Sequence, residues 1–288
     1  MAVIFGILSA LSFGVGDFLA RFSSKEIGFQ RSLFWMLVVG SIFYLILYFV
    51  FYGEFSPNLK GVVLSLMAGI LIMFGLLFLY KGLESGPVSI VAAIVATNPF
   101  FVFLVRFAFG TEPSVLQWIA SIVIISGAVL ISISASSFKD SLGLNSKQIK
   151  STVIMSFVSS ICLAFGLIFS QEASNHLSTT ETVIYIRFFS LLSVSLILIF
   201  YRIKPILTKK SIPILIFQGI LETTGYFLLV SAYSFDKIGI AVIISSGFGL
   251  VTIVLARIIL KEKIEKIQKI GIILTFIGVA CISIKFFF

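Results

Sequence analysis

Residues 211–233 read SIPILIFQGILETTGYFLLVSAY. A helix needs about 20 apolar residues to cross a bilayer, and this run is long enough. Its one charge is Glu222, eleven residues from either end. An ionisable group at that depth costs roughly 2.5–3.5 kcal/mol on insertion scales and persists mainly where it faces a cavity or a partner. Gln218, Glu222 and Tyr226 recur at i, i+4 and i+8, so they form one polar stripe on the helix. Two readings are open for Glu222. It is a neutral carboxyl hydrogen-bonded between helices, or it lines a solute path.

The rest of the chain repeats this pattern. Of 288 residues, 59% are hydrophobic and 11% charged, and the mean hydropathy is +1.17. Soluble domains carry about 25% charged residues and cannot hide so much apolar surface. A disordered chain, a nucleic-acid-binding domain and an ordinary soluble enzyme are excluded on these grounds. Nine further runs approach the spanning length: 2–20, 33–52, 61–80, 85–105, 113–138, 151–171, 182–201, 238–256 and 267–284. Short polar connections separate them, and the longest is 139–150. Continuous runs of this kind do not alternate as barrel strands do, so helices are implied. The expected fold is an all-α membrane protein of ten transmembrane helices, spans 1 to 10. No basic region precedes the run that opens at Ala2, so it is expected to be a retained first span. Cys162 and Cys281 lie in apolar runs and read as small hydrophobes.

Basic residues follow the odd-numbered spans. They are Arg21, Lys25 and Arg31; Lys81; Lys139, Lys147 and Lys150; Arg202, Lys204, Lys209 and Lys210; and Arg257, Lys261, Lys263, Lys266 and Lys269. The opposite side has Lys60, Arg106, Lys237 and Lys285. This bias puts the odd loops in the cytoplasm of a cell (inner) membrane and both termini outside it. It also explains the formal net charge of +9 without nucleic acid.

The halves resemble one another. Glu112 matches Glu262, Gly75 matches Gly225 and Pro99 matches Gly249 at an offset of 150, and Phe13-Gly14 matches Phe165-Gly166 at 152. Five spans per half is an odd number, so the second copy enters the membrane in the opposite sense, an inverted-topology repeat. The expected organisation is 1–138 as the first five-helix repeat, 139–150 as a central cytoplasmic linker and 151–288 as the second repeat.

Ten spans in two fives, with a Glu after spans 4 and 9, resemble the drug/metabolite transporter superfamily in its EamA-like branch. The stretches that carry the likeness are GPVSIVAAIVATNPFFVFLVRFAFGTEPSVLQWIASIVIISGAVL (86–130) and IGIAVIISSGFGLVTIVLARIILKEKIEKIQKIGIILTFIGV (238–279). The sequence departs from the family pattern at Gly249, where a proline is common, and at Phe13-Gly14, where a Trp-Gly-like pair is frequent. The resemblance implies a secondary transporter, with amino-acid-like export as the narrower expectation. It leaves the substrate open.

Candidate pathway residues beyond the stripe fall into two groups. Asp17 and Arg187 are ionisable groups inside apolar runs. Asp17 either faces a cavity or pairs locally with Arg21 one turn on. Arg187 either binds an anion or snorkels to the headgroups. Asn98 and Pro99 in Thr97-Asn98-Pro99, and Ser245 and Gly249 in Ser245-Ser246-Gly247-Phe248-Gly249, mark breaks at equivalent places of spans 4 and 9. Pro99 cannot donate to the carbonyl of Val95, which frees an acceptor. Paired interruptions are the best sequence pointer to a transporter's binding site, although Gly and Pro also permit close helix packing.

No H-E-x-x-H, G-x-S-x-G or G-x-x-x-x-G-K-[ST] motif occurs, so no catalytic residue, metal or cofactor is expected. The expected function is a secondary transporter, most simply an exporter, of small metabolites such as amino acids. It works by alternating access, and Glu222 is suited to carry a proton or to meet a substrate ammonium. Two rivals remain: a membrane-embedded enzyme acting on lipid-linked substrates, and a non-transporting membrane subunit. Expected partners are a small-molecule substrate and the lipid bilayer, with no nucleic acid; a homodimer is left open.

Overall fold

The structure is a computed structural model that describes residues 2–51, 57–110, 112, 114–134, 145–232 and 244–284. Among the described residues every regular element is helical. The helices are α1 (Ala2–Ile27), α2 (Phe29–Phe51), α3 (Leu59–Ser85), α4 (Val88–Val95), α5 (Asn98–Ala108), α6 (Val115–Ser134), α7 (Ser146–Ser174), α8 (Thr179–Phe200), α9 (Ser211–Ser231), α10 (Phe248–Ile259) and α11 (Lys266–Ile284). Among the described residues eight segments are long and apolar enough to cross a membrane, counting α4 and α5 as one broken span. The two other expected spans fall on α10 and α11. Residues 238–243 of the ninth run, residues 139–144 of the expected linker, and Pro113, Lys237 and Lys285 lie outside the described residues.

Polar residues at the ends of the apolar runs start the helices. Asn58 accepts from the amides of Lys60 and Gly61 and opens α3. Asn145 with Gln148, and Ser178 with Glu181, form reciprocal capping boxes that open α7 and α8. Each satisfies donors that a helix start leaves orphaned. Several helices therefore outrun their apolar cores. The helix α7 begins at Ser146, inside the stretch expected as linker. The helix α1 continues to Ile27, so Asp17 is interior to it rather than near its end. Arg21 makes this extension possible. Its Nη1 donates to the carbonyls of Leu83, Glu84 and Gly86, where the end of α3 leaves acceptors unpaired and a cation is favoured.

Packing pairs exchange when residue numbers shift by 150. Helix α3 packs on α7, and α9 packs on α1; α3 packs on α8, and α9 on α2; α6 packs on α11, α4 on α10 and α2 on α8. Hydrogen bonds follow the same rule. Ser9 Oγ donates to the Gly225 carbonyl (2.9 Å), and Ser159 Oγ donates to the Gly75 carbonyl (2.7 Å). So do two close approaches of glycine to backbone. A Cβ on Gly69 would lie 2.8 Å from the Ile186 carbonyl, and one on Gly219 would lie 2.8 Å from the Met36 carbonyl. The offset of 152 read from Phe13-Gly14 is thus corrected: Gly16, not Gly14, stands where Gly166 stands, because Gly16 packs on Glu222 and Gly166 on Ile72.

With little hydrophobic drive between helices in lipid, such small-residue crossings carry much of the packing. Gly219→Ala is expected to cost about 1–3 kcal/mol by overpacking and to lower the thermal midpoint in detergent. Gly82→Ala meets the Val91 side chain at 3.3 Å and Ser156 Oγ at 3.6 Å and should be far milder. Equal losses for the two would overturn this account of the crossing.

Candidate functional site

Helix α4 stops at Val95 and α5 starts at Asn98. The join is a single tight turn, with Thr97 N–H on the Ile94 carbonyl (3.1 Å) and Phe100 N–H on the Thr97 carbonyl (2.9 Å). At 150 residues further on, Gly247 N–H bonds the Ile244 carbonyl (3.0 Å) and Leu250 N–H bonds the Gly247 carbonyl (3.0 Å). Both breaks therefore use i→i+3 bonds at the same register. Pro99 sits in the first turn of α5, where a missing N–H costs nothing. The Val95 carbonyl is not left for a ligand: Ser160 Oγ of α7 donates to it at 3.3 Å and also contacts Thr97 Oγ1 at 3.1 Å.

Between the breaks lies a cavity of about 90 Å³ whose polar lining includes Asp17, Asn98, Arg187, Glu222, Tyr226 and Ser245. The acids come from neighbouring helices, α1 and α9, and their carboxyls lie close enough to share a hydrogen bond. Gly16 allows this approach, since a Cβ there would stand 2.7 Å from Glu222 Oε1. Asp17 does not pair with Arg21, which is engaged at the end of α3. Arg187 does not reach the headgroups: it is 6% exposed and faces the cavity. Its guanidinium lies over the Tyr226 ring at 5.6 Å, and its Nη1 contacts only the Met36 sulfur, at 3.8 Å. Among the described residues, Glu222 Oε1 and Arg187 Nε are buried here without a hydrogen-bond partner. Tyr226 donates its hydroxyl to Ser170 at 2.6 Å.

The other candidates have different surroundings. Gln218 is buried away from the cavity lining, donating to Tyr80 Oη (2.6 Å) and accepting from Ser23 (2.8 Å). Gly249 lets α10 approach α4, with Ala96 Cβ 2.8 Å from where its own Cβ would be. Neither Gly249 nor Pro99 lines the cavity.

A second polar cluster was not foreseen as a unit. Glu262, between α10 and α11, accepts from the amides of Val88 (2.9 Å) and Ser89 (3.0 Å) at the start of α4. Pro87 at that helix's N-cap offers no side-chain acceptor, and a carboxylate suits a helix N-terminus. Gln268 Nε2 donates to Ser89 Oγ (3.0 Å), and Arg257 donates to the Glu262 carbonyl (3.1 Å). The repeat-equivalent Glu112 is exposed.

The sequence matches the EamA-like transporter family twice, over residues 1–133 and 150–284. The chain belongs to the EamA-like transporter family. An uncharacterized protein of Methanocaldococcus jannaschii is 32% identical over 137 residues, which are 46% of this chain and 97% of that protein. A relative of this EamA-like protein thus exists at about half its length. A protein of known crystal structure shares the fold, with a TM-score of 0.65 at 13% identity, over 97% of this chain and 95% of the other. Membership of a transporter family fits an interior cavity and the absence of catalytic motifs.

The contact between Gly16 and Glu222 can be measured by a double-mutant cycle. Gly16→Ala should destabilise the fold by about 1–3 kcal/mol, and Glu222→Ala should remove most of that loss when the two are combined. Strict additivity in thermal unfolding would show that the carboxylate does not abut Gly16.

Proposed function

We propose that the protein is a secondary transporter that exports small metabolites such as amino acids across the cell (inner) membrane by alternating access. In this reading ten spans form two inverted five-helix repeats, 1–138 and 151–288, joined by a cytoplasmic segment, with both termini outside. Solute passes between the halves, through the cavity at the two broken helices. The observation that carries the reading is the buried group of Asp17, Glu222 and Arg187 facing that cavity. The exchange of packing pairs at an offset of 150 supports the repeat, and the basic residues, three after span 1 but none after its partner span 6, support its inversion.

The rivals fare worse on the same geometry. An enzyme acting on lipid-linked substrates calls for paired acids at a membrane interface, whereas Asp17 and Glu222 meet inside the bundle. A packing subunit calls for tight contact around Glu222, where there is a cavity instead.

The cavity is smaller than the roughly 300–1,000 Å³ of most ligand sites and has room for a few waters. Transport therefore requires the halves to part. Glu262 joins α4 of one half to the α10–α11 connection of the other, on the side that the basic residues place in the cytoplasm. In this conformation Glu262 holds the start of α4 on that side.

Two measurements test the proposal. Glu222→Gln should abolish or uncouple flux in proteoliposomes while the protein still folds; unchanged flux and unchanged pH dependence would remove Glu222 from the mechanism. Glu262→Ala should open the cytoplasmic side. With Cys162 and Cys281 replaced by Ala and Asn98 by Cys, labelling by an impermeant maleimide from the cytoplasmic face should rise several-fold, roughly the effect of losing 1–2 kcal/mol from the closed state. No rise would deny Glu262 that role.

A further inference from the structure

Gln218 belongs to a buried layer one step beyond the cavity. Ser32 and Ser23 join their hydroxyls at 2.6 Å, Ser23 Oγ donates to Gln218 Oε1 at 2.8 Å, and Gln218 Nε2 donates to Tyr80 Oη at 2.6 Å. The four come from α2, α1, α9 and α3, and all are fully buried. Each stands four to six residues from a cavity-lining residue of its own helix: Ser32 from Leu37, Ser23 from Asp17, Gln218 from Glu222 and Tyr80 from Leu76. In every case the step leads towards the helix end where the basic residues gather, the cytoplasmic end by the charge bias. Ser32, Ser23 and Tyr80 belong to the first half of the chain and Gln218 to the second.

On the proposed inversion, the outer side of the cavity has the same four positions and a different chemistry. At an offset of 150 they are Thr182, Ala173, Ala68 and Val230, also fully buried. They stand in the same relation to Arg187, Leu167, Ile72 and Tyr226, which line the cavity. The two alanines and the valine form no side-chain hydrogen bond, and Thr182 Oγ1 has no hydrogen-bond partner among the described residues. Polar bonds on that side lie elsewhere. Tyr226 meets Ser170 within the second half, and Arg106 meets Gln171 (2.7 Å) at a half-buried position near the helix ends.

We infer that Gln218, gripped between Ser23 and Tyr80, latches the cavity shut towards the cytoplasm, and that the two gates close by different means: hydrogen bonds on the cytoplasmic side, apolar contact on the outer side. This rests on the carrier reading and its orientation, and it goes beyond Glu262, which holds α4 rather than α9. A paired polar layer suits a barrier that must part. Closed and dry, its groups satisfy one another; parted and wet, water satisfies them, so the net free energy of the exchange is small. An apolar layer favours the dry state alone. The Gln218 amide is satisfied in the closed state only while both partners are present. Removing one leaves a buried amide group unsatisfied, which costs more than the bond itself contributes.

Tyr80→Phe tests this on the full chain in membrane vesicles, with Cys162 and Cys281 replaced by Ala and Asn98→Cys as the reporter in the cavity. The change removes the acceptor of Gln218 Nε2. Labelling by an impermeant maleimide from the cytoplasmic face should rise about fivefold or more, while labelling from the outer face does not rise. Adding Gln218→Leu makes the layer apolar, like its outer counterpart, and should return cytoplasmic labelling to within about twofold of the unaltered protein. Ser23 then falls back on the carbonyls of Leu19 and Ala20, at 3.4 and 3.3 Å. A layer that only stabilised the fold would raise labelling from both faces or from neither. If Tyr80→Phe fails to fold, Ser23→Ala, which strips the donor from Gln218 Oε1, carries the same expectation. No rise, an equal rise from both faces, or a rise that the double variant keeps overturns the latch. Glu222-dependent flux in proteoliposomes judges the carrier separately. Flux without a labelling response keeps the carrier and overturns the latch; a labelling response without flux overturns the carrier and the gate with it.

Discussion

The structure is organised around the difficulty of keeping two carboxyls and a guanidinium away from water inside an apolar bundle. No single helix can do this, because each group needs neighbours at its own depth. Asp17 and Glu222 are brought together by the crossing of α1 and α9, which Gly16 makes close. Arg187 is held over the Tyr226 ring by α8. The three helices share no sequence neighbourhood, so the polar group exists only once the bundle has closed. Its charges interact in a medium of low effective dielectric, where Arg187 and Glu222 attract, two ionised carboxyls repel, and burial opposes every charge. A bundle with only packing to satisfy would have replaced all three with aliphatic residues.

Around this polar group the halves keep the same framework and differ in chemistry. The reciprocal serine bonds to Gly75 and Gly225, the glycine crossings at Gly69 and Gly219 and the two tight turns at Thr97 and Gly247 all recur at one offset. These contacts hold the helices close together at matching positions, and they fix where the cavity lies. What fills the equivalent positions has diverged: Asp17 against Leu167, Glu222 against Ile72. A symmetric framework can support two related arrangements of its halves, while an asymmetric lining can hold one solute in one pose.

Much of the fold was legible from the chain, because a bilayer imposes length and hydropathy on every span. The positions of Glu222 and of the two breaks were legible for the same reason: a charge or a helix breaker stands out in an apolar run. Contacts between helices were not. Asp17 looked like a residue near a helix end because the apolar run stops at Ala20, while the helix continues to Ile27 on the strength of Arg21's bonds to α3. Arg187 looked free to snorkel because nothing local marks which face of α8 turns inward. Gln218 shares its stripe with Glu222 but meets Tyr80 and Ser23, since one face of a helix passes several neighbours along its length. Ser160 left no signal at all; its part in satisfying Val95 depends on where α7 crosses the break.

The breaks and the Glu262 clasp belong to one mechanical path. Helix α4 runs from the amides that Glu262 holds to the turn at Thr97, and α10 runs from the turn at Gly247 back towards the Glu262 loop. The two helices pack on each other, with Gly249 against Ala96. On the proposed carrier reading, a shift at Glu262 would be carried along these two short helices to the two turns that border the cavity. Continuous helices would spread such a shift over their neighbours. The i→i+3 turns instead let α4 and α10 move against α5 and the membrane-spanning framework, with few backbone bonds to rearrange.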